Sequence, residues 1–228
     1  MPHVVLLGDS VFDNAAYVRG SLDVVQQLQA VLPEGSQATL LAVDGHVISD
    51  VPRQLSRLPD SATHLVVSVG GNDALRASGV IEHPVRSVAE ALGLLAEVRE
   101  RFQAAYSAML EAVQATERPT ALCTIYDPLY PDPQRRRLTT TALSLLNDVI
   151  TREAFTRGHS LIDLRVLCNE EAHFANSIEP SAQGGQKIAG AIAAFLLADR
   201  QLKGIRVFAR KRQIRRPARW PYPTPWAP

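Results

Sequence analysis

The chain has 228 residues, of which 46% are hydrophobic and 21% charged, and its formal net charge is +1. This composition suits one globular domain with a substantial core, and it excludes a disordered, collagen-like or disulfide-stapled protein. The only cysteines are Cys123 and Cys168. Because they form no Cys/His cluster, no metal is predicted. No apolar run is long enough for a membrane span and no basic leader precedes the first strand, so we expect a cytoplasmic protein.

The charge is unevenly distributed along the chain. Residues 203–228 contain eight Lys or Arg and no acid, so residues 1–202 carry a net charge of −7. This division predicts a domain at 1–202 and a basic tail at 203–228. Such a tail can contact nucleic acid or an anionic membrane, but a solvated tail, or one docked on the acidic body, is favoured. Trp220 and Trp226 lie between prolines in the tail, and we expect one of them to be buried. The oligomeric state stays open.

Apolar runs alternate with helical patterns along residues 1–202. Five short apolar runs are predicted strands: His3–Leu7, Ala38–Val43, His64–Val69, Thr120–Ile125 and Ser160–Leu164. Four periodic stretches are predicted helices: Asp23–Val31, Ser87–Thr116, Thr139–Arg157 and Ser181–Leu197. The alternation predicts an α/β fold, and five buried strands fit a parallel sheet of flavodoxin-like, doubly wound order. In such sheets the functional site lies beyond the carboxyl ends of the strands.

Polar residues follow the first three strands directly. Gly8-Asp9-Ser10 follows the first, Asp44-Gly45-His46 the second, and Gly70-Gly71-Asn72-Asp73 the third. A serine at a sharp strand-to-helix turn can act as a nucleophile. The N–H groups of Ser10 and Gly45, with the Asn72 amide, can hold an oxyanion. Together these residues predict an acyl-transfer site at this edge of the sheet.

With these blocks in order, the sequence resembles the SGNH hydrolases, also called GDSL esterases/lipases, over about residues 3–198. The resemblance implies a compact three-layer α/β fold. It also implies serine-dependent hydrolysis of ester, thioester or acetylated-sugar substrates, without metal or cofactor. The expected partner is a small-molecule ester.

The family has a fourth sequence block, Asp-x-x-His, near the C-terminus. This chain departs from that pattern. Asn176 stands at the position of the Asp and Glu179 at that of the His, just before Pro180-Ser181. A glutamate has a reference pKa of about 4.3. If Glu179 is the base, we therefore expect activity to rise with pH below the range typical of a histidine base, unless burial raises the pKa of the glutamate. Three readings stay open. Glu179 is the base for Ser10, or His46 or His173 serves instead, or the protein is an inactive member that only binds a ligand.

Five neighbouring residues are candidates for contact with the substrate: Asp9, Asp13, Gly71, Asp73 and Asn176. Carboxylates beside turns and helix starts commonly bond to nearby N–H groups. A turn or cap role is therefore the simpler reading for Asp9, Asp13 and Asp73. The loop Tyr126–Tyr130 follows the fourth strand and carries two aromatic side chains that could line an acyl pocket.

Overall fold

A six-stranded parallel sheet forms the centre of the protein. The computed structural model describes residues 1–199 and 207–208. The strands are β1 His3–Gly8, β2 Gln37–Leu40, β3 His64–Ser68, β4 Thr120–Cys123, β5 Ser160–Ile162 and β6 Val207–Phe208, and their order across the sheet is β2-β1-β3-β4-β5-β6. The doubly wound α/β prediction is confirmed. The two-residue β6 lies in the segment predicted as a tail, and both tryptophans of that segment lie outside the described residues.

Three strands end two or three residues earlier than the hydrophobic pattern indicates. Leu41 and Ala42 follow β2, and Thr124 follows β4; all three are buried although they lie outside these strands. Burial therefore continues past the strand ends, into the segments that lead to the polar motifs.

The described residues contain seven α-helices: α1 Val24–Val31, α2 Val51–Leu55, α3 Gly71–Ala77, α4 Val88–Gln114, α5 Pro133–Arg157, α6 Leu164–Leu167 and α7 Ala182–Asp199. Capping side chains set several of their first residues. Asp23 and Gln26 form a capping box on α1, and Ser87 caps α4. Asp132 caps α5 ahead of Pro133, which is why this helix begins six residues before its predicted start. None of the helices in residues 1–199 is long and apolar enough to cross a membrane.

The core has two layers, one on each face of the sheet. Alternate residues of β1 point to opposite faces, so Val4 and Leu6 pack in the cluster with α1 and α7, whereas Val5 and Leu7 pack in the cluster with α4 and α5. All four side chains are fully buried. This burial on both faces explains why β1 is a continuous apolar run.

Helices α4 and α5 run side by side in the same direction and extend beyond the carboxyl edge of the sheet. Arg99 and Asp148 join them at 3.3 Å. Phe102 of α4 packs against Gly70, two residues past the end of β3. Asn147 of α5 bonds to the backbone of Ile125, two residues past the end of β4. The fourteen residues of each helix that precede these contacts span about 20 Å. They form two walls above the edge where the polar motifs meet.

Candidate active site

A tight turn after β1 presents Ser10. Gly8 has a φ of +128°, and a Cβ there would lie 1.7 Å from the carbonyl oxygen of Ser68, so only glycine fits. The Asp9 N–H donates to that same oxygen at 3.1 Å. Gln54 holds the turn from the other side, because its side chain accepts from the Gly8 N–H and donates to the Gly8 carbonyl, each at 2.7 Å. Ser10 is thereby held at the sheet edge with only 7% of its surface exposed.

Ser10 is hydrogen-bonded to Glu179. Its Oγ donates to Glu179 Oε1 at 3.1 Å, across 169 residues of sequence. Glu179 is 6% exposed, and its second oxygen, Oε2, has no hydrogen-bond partner among the described residues. The fourth block therefore brings a carboxylate, rather than an imidazole, into contact with the serine.

The loop that carries Glu179 is fixed through its backbone. Asn176 Oδ1 accepts from the N–H groups of Ile178 and Glu179, both at 2.9 Å. The Tyr126 hydroxyl donates to the Ile178 carbonyl, and the fully buried Asn14 donates to the carbonyl of Pro180 at 3.3 Å. These bonds hold the residues on both sides of Glu179. Its carboxylate is thus oriented without the aspartate that orients a histidine in a triad.

Burial dominates the electrostatics of the site. It raises the pKa of Glu179 to about 7, with a smaller contribution from the nearby charge of Asp44, while the hydrogen bond from Ser10 opposes the shift. The pKa of Asp9 rises to about 8, mainly through burial, and the negative charges of Glu179, Asp73 and Asp44 add to it. From the sequence, a Glu179 base predicts a rise of activity with pH below the range of a histidine base. With a pKa of about 7, the expected rise is instead centred at about pH 7.

The two histidines considered as alternative bases have other partners. His46 Nδ1 lies 2.9 Å from Gln54 Nε2, and because an amide nitrogen only donates, this ring nitrogen accepts. His173 is 3% exposed, and its Nδ1 accepts from the backbone N–H of Glu170 at 3.1 Å. In the described part of the chain neither histidine bonds to Ser10. Of the three groups weighed as a base, Glu179 is the one in contact with it.

The three candidate oxyanion donors come from three segments: the turn after β1, the turn after β2 and the first turn of α3. Asn72 Nδ2 donates one hydrogen to the carbonyl of His46 at 2.9 Å, which holds the amide beside the residue that follows Gly45. Gly45 has a φ of +80° and is exposed, and it does not line the cavity that contains Ser10 and Asn72. Within residues 1–199 and 207–208, the backbone N–H groups of Ser10 and Gly45 donate to no other residue. These groups are therefore available to a ligand.

The structure separates the five predicted substrate contacts into two groups. Asp9 and Gly71 line the same cavity as Ser10. Asp13 accepts from the N–H of Asp44 at 2.9 Å, and Asp73 accepts from the N–H of Ile48 at 3.1 Å. Asn176 is exposed and holds the loop of Glu179. The last three do not line the cavity; the bonds that they make stabilise the loops around it.

The cavity has a volume of about 500 Å³ and contains Ser10, Asn72 and Glu179 in its wall. From these polar groups it extends between α3, α4 and α5, where the side chains are mostly apolar. Sequence reasoning missed this extension, and it also missed Gln54 and the positioning role of Tyr126. Apolar residues in the N-terminal parts of α4 and α5, ahead of the part of each helix that covers the sheet, could have indicated this extension. Nothing local marked Gln54.

No group of three or more His, Cys, Asp or Glu side chains able to hold a metal ion occurs in the part of the chain that the structure describes. The site consists of a buried serine bonded to a buried carboxylate, with backbone and amide donors nearby, at the carboxyl edge of a doubly wound sheet. This arrangement defines a class of α/β protein suited to acyl transfer.

Comparison with known proteins agrees with that class. The profile of the GDSL-like lipase/acylhydrolase family matches residues 6–187, and the chain belongs to this family. The resemblance drawn from the sequence blocks is confirmed, and membership supports a hydrolase. No curated protein matches the sequence.

Solved structures share the fold at low sequence identity. An extracellular lipase from Streptomyces rimosus is 19% identical, with a TM-score of 0.62 over 87% of this chain and 99% of that chain. A lipase from a goat rumen metagenome is 18% identical, with a TM-score of 0.67 over 86% and 97%. A variant of an acetyl xylan esterase from Geobacillus stearothermophilus is 17% identical, with a TM-score of 0.57 over 93% and 97%. At these identities the likeness shows a common fold.

Proposed function

We propose that the protein is a serine esterase in which Ser10 is the nucleophile and Glu179 the general base. The observation that carries the proposal is the hydrogen bond of 3.1 Å from Ser10 Oγ to Glu179 Oε1, made in the wall of the cavity. A nucleophile and its base need this kind of contact, and the base needs to be held in place. The loop bonds of Asn176 and Tyr126 supply the second requirement.

The proposed reaction has two halves. Ser10 Oγ attacks the ester carbonyl while Glu179 accepts its proton, and the N–H groups of Ser10 and Gly45 and the Asn72 amide stabilise the negative oxygen. Collapse of this intermediate breaks the bond to the alcohol, which takes the proton from Glu179 and leaves an acyl-serine. Water then attacks the acyl-serine. Glu179 accepts one proton from the water and returns it to Ser10 as the carboxylic acid departs.

A glutamate in this position has the basicity that the reaction requires. General base catalysis is most efficient when the pKa of the base lies near the working pH. Burial brings the pKa of Glu179 to about 7, whereas the ordinary value for the side chain is 4.5. The carboxylate of Glu179 thus takes over the acid–base range that a histidine would otherwise provide.

Labelling with a fluorophosphonate probe tests the proposal, since such probes react only with activated serines. We expect labelling at about pH 8 and turnover of p-nitrophenyl esters, both abolished in Ser10→Ala. Ser144→Ala is the matched control, because Ser144 lies exposed on α5 outside the cavity. A wild-type protein that is folded, is not labelled and hydrolyses no ester would refute the esterase and favour a protein that binds its ligand without turnover.

A further inference from the structure

The cavity continues well beyond the groups proposed to react. Its wall includes Ser10 and Ile125 beside the strand ends, together with residues of the two helices that extend past the sheet and of α3. Six apolar side chains characterise these walls: Leu75, Val80, Leu95, Val98, Leu138 and Leu146. An acetyl group would occupy only the innermost part and leave this apolar surface in contact with water.

The apolar lining also continues out of the cavity as exposed surface on α4. Val88, Leu92, Leu95 and Val98 are spaced by three or four residues, so they lie on one face of the helix. Leu95 and Val98 line the cavity, whereas Val88 is 76% exposed and Leu92 is 60% exposed. Exposed apolar surface that is continuous with a binding cavity is typical of a site for an extended apolar ligand.

The opposite helix presents a matching stripe. Leu138, Ala142 and Leu146 of α5 recur every four residues and all line the cavity. They cover two turns, about 12 Å along the helix. A groove with an apolar wall of this length fits an extended alkyl chain better than a compact group.

The polar groups near Glu179 indicate which half of the ester enters the groove. A general base returns its proton to the departing alcohol, so the alcohol lies on the side of Glu179. There Tyr17 donates to Asp44 at 2.7 Å, and the charge of Asp44 acts on Glu179. This side is polar and open. The acyl part of the ester then points toward the apolar groove.

We propose that the groove between α3, α4 and α5 binds the acyl chain, and that the enzyme prefers esters of medium- and long-chain acids to acetates. This inference rests on the proposed function. Burying a methylene gains enough free energy to raise kcat/KM about two- to fourfold for each carbon that enters the groove.

The test compares p-nitrophenyl acetate, octanoate and laurate, which share one alcohol. We expect kcat/KM to rise from acetate to octanoate by about 10²-fold or more in the wild type. Ala142→Phe fills the middle of the groove, so it should remove most of this gain, measured as the ratio of kcat/KM for octanoate to kcat/KM for acetate in the same variant. Ala104→Phe is the matched control, because Ala104 is an exposed alanine of α4 outside the cavity. Ala142→Leu replaces the larger substitution if that variant does not fold.

Two further measurements separate this inference from the proposed function. Binding of laurate to Ser10→Ala, followed by calorimetry, needs no catalysis, and we expect binding that Ala142→Phe weakens about tenfold. Laurate binding without ester turnover in the wild type would support the groove and refute the esterase. Esterase activity with equal or higher kcat/KM on acetate, and no effect of Ala142→Phe, would overturn the acyl groove. Faster turnover of dodecyl acetate than of methyl laurate, both of which have an alkoxide leaving group, would place the alkoxy chain there and also overturn it.

Discussion

Replacing Glu179 by glutamine should lower activity and, at the same time, make stability less dependent on pH. The substitution keeps the shape of the side chain and removes its charge and basicity. Because general base catalysis commonly contributes 10²–10⁴-fold, we expect kcat/KM to fall by about 10²-fold or more. The hydrogen bond from Ser10 to Oε1 can persist in the variant, so loss of the fold is not the expected cause.

The size of the stability effect follows from the pKa of Glu179. Its rise from 4.5 to about 7 means that the folded protein holds the proton of Glu179 at a pH where the unfolded chain has released it. The contribution of Glu179 to the free energy of unfolding of the wild type therefore decreases as the pH rises from about 4.5 to 7 and is constant above that range. The full shift corresponds to about 3 kcal/mol. Screening by solvent in the cavity reduces the expected loss to about 1–2 kcal/mol.

The assay compares the melting temperatures of wild type and Glu179→Gln at about pH 5 and pH 8. The glutamine leaves its amide at the position of Oε2, which has no partner among the described residues, but this cost does not depend on pH and cancels in the comparison. We expect the variant to gain about 2–8 °C relative to the wild type between the two pH values, as a chain of this length converts about 1–2 kcal/mol into such a shift.

The activity of the wild type gives an independent measurement. If Glu179 is the base, kcat/KM should rise with pH through an apparent pKa of about 7, because only the carboxylate accepts the proton. A carboxyl pKa is nearly independent of temperature, whereas that of an imidazole falls on warming, so profiles at two temperatures distinguish the two bases. Full activity of Glu179→Gln, or a limb that moves with temperature as a histidine does, would refute the reasoning.

Substitutions at three other residues test the surroundings of Ser10 and Glu179. Asn72→Ala should lower kcat about 10²–10³-fold with little change in KM, as expected for the loss of one oxyanion donor. Steady-state kinetics in which KM changes by as large a factor as kcat would contradict that role. Asn176→Ala removes the acceptor for two backbone N–H groups, so we expect kcat to fall about tenfold while Asn176→Asp retains most of it. Tyr126→Phe leaves the Ile178 carbonyl without its donor and should cost about 1–2 kcal/mol of stability by chemical denaturation, together with a loss in kcat; an unchanged kcat would show that the loop is held without this bond.

Much of the fold and the place of the site could be predicted because they depend on local patterns. The short apolar runs and periodic stretches predict a doubly wound α/β sheet. The glycines and polar residues directly after β1 and β3 then place the site, because the carboxyl ends of parallel strands meet at one edge. Ser10 and Asn72 could be named from these positions. Glu179, in contrast, could be placed near Ser10 only through the resemblance of its block to a family pattern.

The tertiary structure decided which chemistry the site can support. The sequence left Glu179, His46 and His173 open as the base, and the contacts of Gln54 and Glu170 with the two histidines leave Glu179 as the one of these three that touches Ser10. The pKa of Glu179 depends on how completely the folded chain removes it from water, which is a sum over residues distant in sequence.

The groove also depends on the tertiary structure. Leu95 and Leu146 are separated by about fifty residues and belong to helices whose hydrophobic patterns are each ordinary. They line one cavity because both helices extend past the edge of the sheet side by side. A local pattern determines which face of a helix is apolar, but only the packing of the whole chain determines whether that face meets the sheet, another helix or an open groove.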